Sequence, residues 1–188
     1  QSPRGDSILD ATTNFYTFAH FKDLLYVEVK RARRYGFPLA LALIAFDEPA
    51  SDRRLQTQLM GGLALAIRRS LRDTDYPVQY SNDRILLLMP HTDLAGSLIV
   101  ARRICERVSR ATLQYGNKTM NPTVSVGVGA GDPSREYGFS DLVRQAQEGL
   151  TQAVDQGGNR VEFCSHISDE AAEKPDIPQI PPVLPLND

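Results

Sequence analysis

Apolar residues recur at helical spacing in four stretches of the chain, and extended apolar or alternating runs separate these stretches. The pattern predicts a helix from Tyr16 to about Tyr35, a second from about Asp52 to Leu71, a third that begins at Asp93, and a fourth from Ser140 to about Asp155. Gly36 supplies a stop signal for the first helix, and Ser140 is the predicted N-cap of the fourth. Four amphipathic helices are therefore expected.

The runs between the helices predict strands. They lie at Pro38–Phe46, Pro77–Tyr80, Ile85–Met89, Thr123–Gly129 and Asn159–Phe163. The first run is almost continuously apolar, which is typical of a central strand covered on both faces. The second and third runs flank Ser81-Asn82-Asp83, whose residues favour a tight turn, so this pair predicts a β-hairpin.

Strands that alternate with helices around one hairpin predict an α/β (α+β) fold with a ferredoxin-like β-α-β-β-α-β core. An N-terminal helix and an extra C-terminal strand are added to this core. The predicted domain spans residues 10–164, after a polar linker at 1–9. Residues 165–188 turn acidic and then proline-rich, a composition that favours a disordered tail.

The composition of the chain limits which partners and which cellular location are expected. A chain of 188 residues with 41% hydrophobic content can bury one ordinary core. Its net charge of -2 gives no overall attraction to nucleic acid or to an anionic membrane, so neither is expected as a partner. Cys105 and Cys164 show no CxxC spacing, and no apolar run approaches the roughly 20 residues of a membrane span. We therefore expect a cytoplasmic, bacterial location.

One short motif stands just before the predicted hairpin. Arg72-Asp73-Thr74-Asp75 is followed by five residues and then by the turn. This arrangement resembles the GGDEF domain, the diguanylate cyclase fold. The segments 31–38, 123–128 and 157–161 also resemble stretches of that family, and the resemblance spans roughly residues 10–163. It implies a sheet of the nucleotidyl cyclase type.

The resemblance implies a ligand site. In the family, the Arg-x-x-Asp motif is an inhibitory site for cyclic di-GMP, and an arginine on the helix after the hairpin completes it. These positions fall on Arg72, Asp75 and Arg103. A planar arginine fork suits a guanine Hoogsteen edge or a phosphate, and a carboxylate accepts from guanine N–H groups. An ordinary exposed ion pair at a helix end is the alternative interpretation.

The family's catalytic positions carry other residues. The hairpin motif Gly-Gly-Asp/Glu-Glu-Phe is replaced by Ser81-Asn82-Asp83-Arg84-Ile85, and one metal-ligand position falls on Ala45. The family's triphosphate-binding lysine and arginine fall on Val154 and Gly158. The carboxylates Asp47 and Asp83 remain. These differences lead us to expect a degenerate domain that is not an enzyme and has no catalytic residue, metal or cofactor.

The function expected from this pattern is that of a catalytically inactive GGDEF domain that serves as a cyclic di-GMP receptor. Its expected partners are cyclic di-GMP and, through the ligand, a second copy of the chain or another protein. The alternative is a dimerisation or protein-interaction scaffold that needs no ligand. A GTP-binding relic is a third hypothesis, against which Ala45, Val154 and Gly158 argue.

Overall fold

The structure of the protein is a computed structural model that describes residues 8–164. Its helices are α1 (Phe18–Tyr35), α2 (Arg53–Arg68), α3 (Leu94–Ser109) and α4 (Phe139–Asp155). Its strands are β1 (Tyr16–Thr17), β2 (Leu39–Phe46), β3 (Tyr76–Ser81), β4 (Arg84–Pro90), β5 (Leu113–Tyr115), β6 (Lys118–Met120), β7 (Val124–Gly131) and β8 (Val161–Phe163). The predicted tail and residues 1–7 of the predicted linker lie outside the described residues.

Six of the strands form one sheet in the order β1-β3-β4-β2-β7-β8. The three pairings β3–β4, β4–β2 and β2–β7 are antiparallel, which gives the strand order of a ferredoxin-like core. β1 joins one edge parallel to β3, and β8 joins the other edge parallel to β7. The predicted fold class is confirmed, including the extra C-terminal strand.

Strand β2 lies in the interior of the sheet and is covered on both faces. Leu39, Leu41 and Leu43 belong to the apolar cluster formed with α1 and α4. The alternate residues Ala40, Ala42 and Ile44 belong to the cluster formed with α2 and α3. All six are fully buried, because successive side chains of a strand point to opposite faces. The prediction of a central strand is confirmed.

Helix ends differ from the predicted ones in three places. The fourth helix begins at Phe139, not after a Ser140 cap, because the Asp141 carboxylate accepts the Gly138 N–H at 2.7 Å and so satisfies the helix end. The first helix begins at Phe18, since Tyr16 and Thr17 pair with β3 instead. The second ends at Arg68, three residues before the predicted Leu71. No described helix is long and apolar enough to span a membrane.

A short hairpin, β5–β6, was not predicted. Its strands have three residues each, which is too short for the alternating pattern that marks a strand. The hydroxyl of Tyr115 donates to the carboxylate of Asp52, which also caps α2 by accepting the Leu55 N–H at 2.8 Å. The Asp52 pKa lies below its ordinary value because of these two hydrogen bonds, that from Tyr115 first. The hairpin is thereby joined to the start of α2.

Candidate functional site

The loop between α2 and β3 places two of the three predicted ligand residues together. Asp75 accepts a hydrogen bond of 2.9 Å from the Arg72 backbone N–H through Oδ2, and its own N–H donates to the Arg72 carbonyl at 3.1 Å. These reciprocal bonds close a turn in which Arg72, Asp73 and Thr74 are exposed. Arg72 is thus exposed in the same turn as the Asp75 carboxylate, which its backbone N–H contacts.

Asp75 itself is only 7% exposed. Its second oxygen, Oδ1, is buried and has no hydrogen-bond partner among the described residues. Burial raises the pKa of this carboxyl, while the bond from the Arg72 N–H and the Arg72 charge act in the opposite direction. A buried acceptor without a partner is rare in folded proteins, so Oδ1 is a candidate acceptor for a ligand N–H.

Arg103, the third predicted residue, lies apart from the other two. It is exposed on α3, and no hydrogen bond or ion pair among the described residues joins it to Arg72 or Asp75. α3 packs on the same face of the sheet as α2, whose end leads into the turn. The structure therefore brings Arg72 and Asp75 together and leaves Arg103 free to contact a ligand from a separate helix.

The β3–β4 turn, which carries the catalytic motif in the family, is a two-residue turn at Asn82 and Asp83. The Ser81 hydroxyl donates to Asp83 at 2.8 Å, and the Gln56 side chain donates to the Asn82 carbonyl at 2.8 Å. No described residue from 81 to 84 has a positive φ. The turn therefore does not require glycine, since its backbone does not enter the left-handed region.

Two cavities flank this turn. One of about 440 Å³ is lined by residues that include Asp52, Gln56 and Asn82. The other, of about 540 Å³, is lined by residues that include Ala45 and Asp83. Neither Asp52 nor Gln56 is predicted from the sequence as a site residue. No motif marks Gln56, whereas the position of Asp52 before an amphipathic helix is a capping signal.

Asp47, which directly follows β2, accepts hydrogen bonds from three groups within the fold. Asp47 accepts from the Thr123 hydroxyl at 2.6 Å, the Ser125 hydroxyl at 2.5 Å and the Asn159 N–H at 2.9 Å. Gly158 lies over the same carboxylate, and a Cβ there would come within 2.6 Å of Oδ1. Both oxygens of Asp47 are therefore engaged within the protein.

The carboxylates at this edge do not fit the magnesium ion that the resemblance implies. Mg²⁺ needs oxygen ligands arranged octahedrally around it. The described residues contain no group of three or more acidic, histidine or cysteine side chains that could hold a metal. Asp47 is engaged elsewhere, and Ala45 offers no side-chain ligand. The expectation of no metal and no cofactor stays a prediction.

Comparison with known proteins gives a match to the sequence model described as "Diguanylate cyclase, GGDEF domain" over residues 7–160. The chain is 29% identical over 166 residues to the response regulator PleD of Caulobacter vibrioides, covering 82% of this chain and 36% of that protein. It is 27% identical over 99 residues to diguanylate cyclase A of Treponema denticola, covering 53% and 26%. The chain thus spans about a third of the length of these relatives or less.

Solved structures show the same fold. The GGDEF domain of DgcB from Caulobacter crescentus, solved in complex with c-di-GMP, has a TM-score of 0.76 and 20% identity, covering 86% of this chain and 96% of that one. Diguanylate cyclase SiaD from Pseudomonas aeruginosa, solved with its activator SiaC, has a TM-score of 0.74 and 24% identity, covering 82% and 60%. At these identities the likeness concerns the fold alone.

The expectation that the chain is not an enzyme is wrong. The matching sequence model is named for diguanylate cyclase, and relatives bear that name as well. The expectation rested on side-chain differences at the hairpin, but those differences leave the β3–β4 turn and the cavities beside it in place. Replaced side chains on a retained backbone do not remove a chain from an enzymatic family.

Proposed function

This chain belongs to the diguanylate cyclase GGDEF family, and from that premise we propose that it is a receptor for cyclic di-GMP, which it binds through Arg72, Asp75 and Arg103. The observation that carries the proposal is the buried Oδ1 of Asp75, which has no partner among the described residues, in the same turn as the exposed Arg72. The complex of the DgcB domain with c-di-GMP supports the choice of ligand. The fold of that domain is the fold of this chain.

The chemistry of the two groups matches the ligand. Cyclic di-GMP carries two guanines and two phosphate charges. The guanidinium of Arg72 can donate two parallel hydrogen bonds to guanine N7 and O6, or to phosphate oxygens. The carboxylate of Asp75 can accept from guanine N1–H and N2–H. Because Oδ2 already accepts the Arg72 N–H, the ligand would bond to Oδ1.

Access to Oδ1 requires a small rearrangement. The atom is buried in the free protein, so the turn formed by residues 72–75 must open before a ligand can reach it. This change is confined to the loop between α2 and β3. It must break or replace the reciprocal hydrogen bonds between Arg72 and Asp75. The ligand then stabilises the opened turn, which gives the receptor two states.

Calorimetric titration with cyclic di-GMP tests the proposal. Arg72→Ala removes a charge-assisted contact that contributes about 1.5–3 kcal/mol. Because about 1.4 kcal/mol corresponds to a tenfold change, the affinity should fall by roughly one to two decades. Asp75→Ala should also weaken binding. Arg84→Ala removes an arginine from the hairpin instead and is the matched control, which should bind like the unaltered protein.

The opposite order would contradict the proposed site. If Arg84→Ala and Asp83→Ala abolished binding while Arg72→Ala did not, the ligand would lie in the cavities beside the β3–β4 turn. No binding of cyclic di-GMP by the folded, unaltered protein would contradict the receptor role altogether. A parallel titration with GTP would then test the hypothesis of a nucleotide-binding relic.

A further inference from the structure

The chain that precedes α1, residues 8–17, is bonded to both flanks of the turn at 72–75. We call these two stretches the N-terminal segment and the ligand turn. On one flank, the Arg68 guanidinium at the end of α2 donates to the Thr13 carbonyl. On the other flank, β1 pairs in parallel with β3, the strand that begins directly after the ligand turn. The N-terminal segment therefore bridges the two ends of the ligand turn.

Arg68 makes two kinds of contact with the N-terminal segment. Besides its hydrogen bond to Thr13, its guanidinium carbon lies 4.9 Å from the centroid of the Phe15 ring. Phe15 is 3% exposed and belongs to the apolar cluster formed with α2 and α3. A charge-assisted hydrogen bond and a cation over an aromatic face both stabilise the pairing. Arg68 therefore holds the N-terminal segment to the last residue of α2.

The N-terminal segment is closed by its own hydrogen bonds. The Asp10 carboxylate accepts from the Thr13 N–H at 2.9 Å, and the Asp10 N–H donates to the Phe15 carbonyl at 2.8 Å. The Thr13 hydroxyl also lies 3.1 Å from the amide oxygen of Gln79 on β3. Because these bonds join successive residues, the segment responds as a unit when Arg68 moves.

Opening of the ligand turn moves its two ends relative to each other. The end at Asp75 is fixed, because β3 begins at the next residue and pairs with β4. The displacement therefore passes to residues 69–71 and to the side chain of Arg68 directly before them. Ser70, in the middle of this stretch, is 5% exposed, and its hydroxyl donates to the Ala66 carbonyl at 2.9 Å. This bond ties the stretch to the end of α2, so movement of the turn reaches Arg68.

We infer that Arg68 couples the ligand turn to the N-terminal segment, so that binding of cyclic di-GMP pulls Arg68 from Thr13 and Phe15 and loosens the segment. The inference rests on the proposed function, because the ligand supplies the opening of the turn. Coupling between two sites is reciprocal, so the contacts of Arg68 oppose ligand binding. Arg68 is a positioning residue that acts through the turn. Its removal should strengthen binding, although it takes a positive charge from the neighbourhood of Arg72.

Calorimetric titration of the full chain with cyclic di-GMP tests the sign of this effect. Arg68→Ala should raise the affinity by about fivefold or more, the lower end of the couplings usually found between linked sites. Arg69→Ala is the matched control. It removes a neighbouring exposed arginine whose side chain has no hydrogen bond or ion pair among the described residues, so it should not raise the affinity. Arg68→Lys keeps a cation and a donor and should bind like the unaltered protein. Unchanged or weaker binding by Arg68→Ala would overturn the inference.

Amide hydrogen exchange followed by NMR measures the response of the N-terminal segment. The N–H groups of Asp10, Asn14 and Thr17 donate to carbonyls within the segment. They should exchange faster when cyclic di-GMP is bound, because the segment opens locally. In Arg68→Ala they should exchange fast both with and without the ligand. Each rate is taken relative to the buried amides of β2, which report unfolding of the whole domain, so a general loss of stability cancels.

A variant that needs no ligand separates failure of this inference from failure of the receptor role. Asp75→Ala removes the acceptor of the Arg72 N–H and opens the ligand turn by itself, so the same three amides should exchange faster. If the unaltered protein bound no cyclic di-GMP, the receptor role would be wrong, and exchange in Asp75→Ala would still decide the coupling. Unchanged exchange of the N-terminal segment in Asp75→Ala would overturn the inference.

Discussion

The carboxylate of Asp47 accepts a hydrogen bond of 2.9 Å from the backbone N–H of Asn159, which lies 112 residues further along the chain. The same carboxylate accepts from Thr123 and Ser125 at the start of β7. It therefore joins the end of β2, the start of β7 and the loop that precedes β8. Asn159 has a φ of 51°, and the bond to Asp47 holds it in this left-handed conformation.

Asp47→Ala should destabilise the fold. The substitution removes a charged acceptor from three donors, and hydrogen bonds to charged groups contribute about 1.5–3 kcal/mol each without being additive. We expect the free energy of unfolding to fall by about 2–4 kcal/mol in urea denaturation. Asp83→Ala, at an exposed turn position bonded only to Ser81 among the described residues, should change it by under about 0.5 kcal/mol. Equal effects of the two substitutions would contradict the joining role of Asp47.

Gly158→Ala should destabilise the protein more than Gly36→Ala. Both glycines have a positive φ, of 75° and 70°, so alanine at either position is strained by about 1–2 kcal/mol. A Cβ at Gly36 would meet nothing within 4 Å, whereas one at Gly158 would meet the Asp47 carboxylate. The difference between the two unfolding free energies isolates the clash with Asp47. Equal free energies of unfolding for the two variants would mean that the Asp47 carboxylate moves aside without loss of stability.

The sequence predicts the sheet and its helices because their signals are local. The apolar run of β2 and the helical spacing of α2 and α3 are each contained in one segment, and burial of those residues follows directly. The β5–β6 hairpin and the Gly138 cap could not be predicted in this way. Each is marked by a contact between individual side-chain and backbone groups, Tyr115 to Asp52 and Asp141 to Gly138, which no periodic pattern reveals.

The same difference between local and non-local signals applies to the residues of the candidate site. Arg72 and Asp75 are three positions apart, so a turn could be expected to bring them together. The function of Asp47 could not be inferred, because its partners lie 76 to 112 residues away and depend on strand order. The burial of Asp75 is equally non-local, and the unpartnered Oδ1 emerges only from the packed structure.

The stability of the protein should depend on pH through Asp75. Burial raises the pKa of this carboxyl in the folded state above the ordinary aspartate value of about 4. Between these two pKa values the folded state binds more protons than the unfolded state, so the contribution of Asp75 to stability falls as pH rises through that window. Asp75→Asn cannot titrate and should lose this slope.

The measurement compares urea unfolding of the two proteins from pH 4 to pH 7. The free energy of unfolding of the unaltered protein, minus that of Asp75→Asn, should decrease as pH rises from about 4. Other carboxyls titrate in both proteins and cancel in the difference. A difference that increased with pH would mean that the bond from the Arg72 N–H and the Arg72 charge outweigh burial at this carboxyl.

Ligand-linked association is the last expected consequence, and it depends on the position of Arg103. Two stacked molecules of cyclic di-GMP present guanine edges in two directions, so they can contact arginines from two chains at once. Arg103 lies on α3 with no bond to the turn among the described residues, which leaves it available to ligand held by a second copy. Light scattering should show the mass rising toward that of a dimer when cyclic di-GMP is added.

Arg103→Ala should reduce this rise in mass while lowering the affinity for cyclic di-GMP less than Arg72→Ala does. Arg107→Ala, four positions further along the same helix, is the matched control and should dimerise normally. A monomeric mass at saturating ligand would exclude cross-linking while leaving binding at the turn intact.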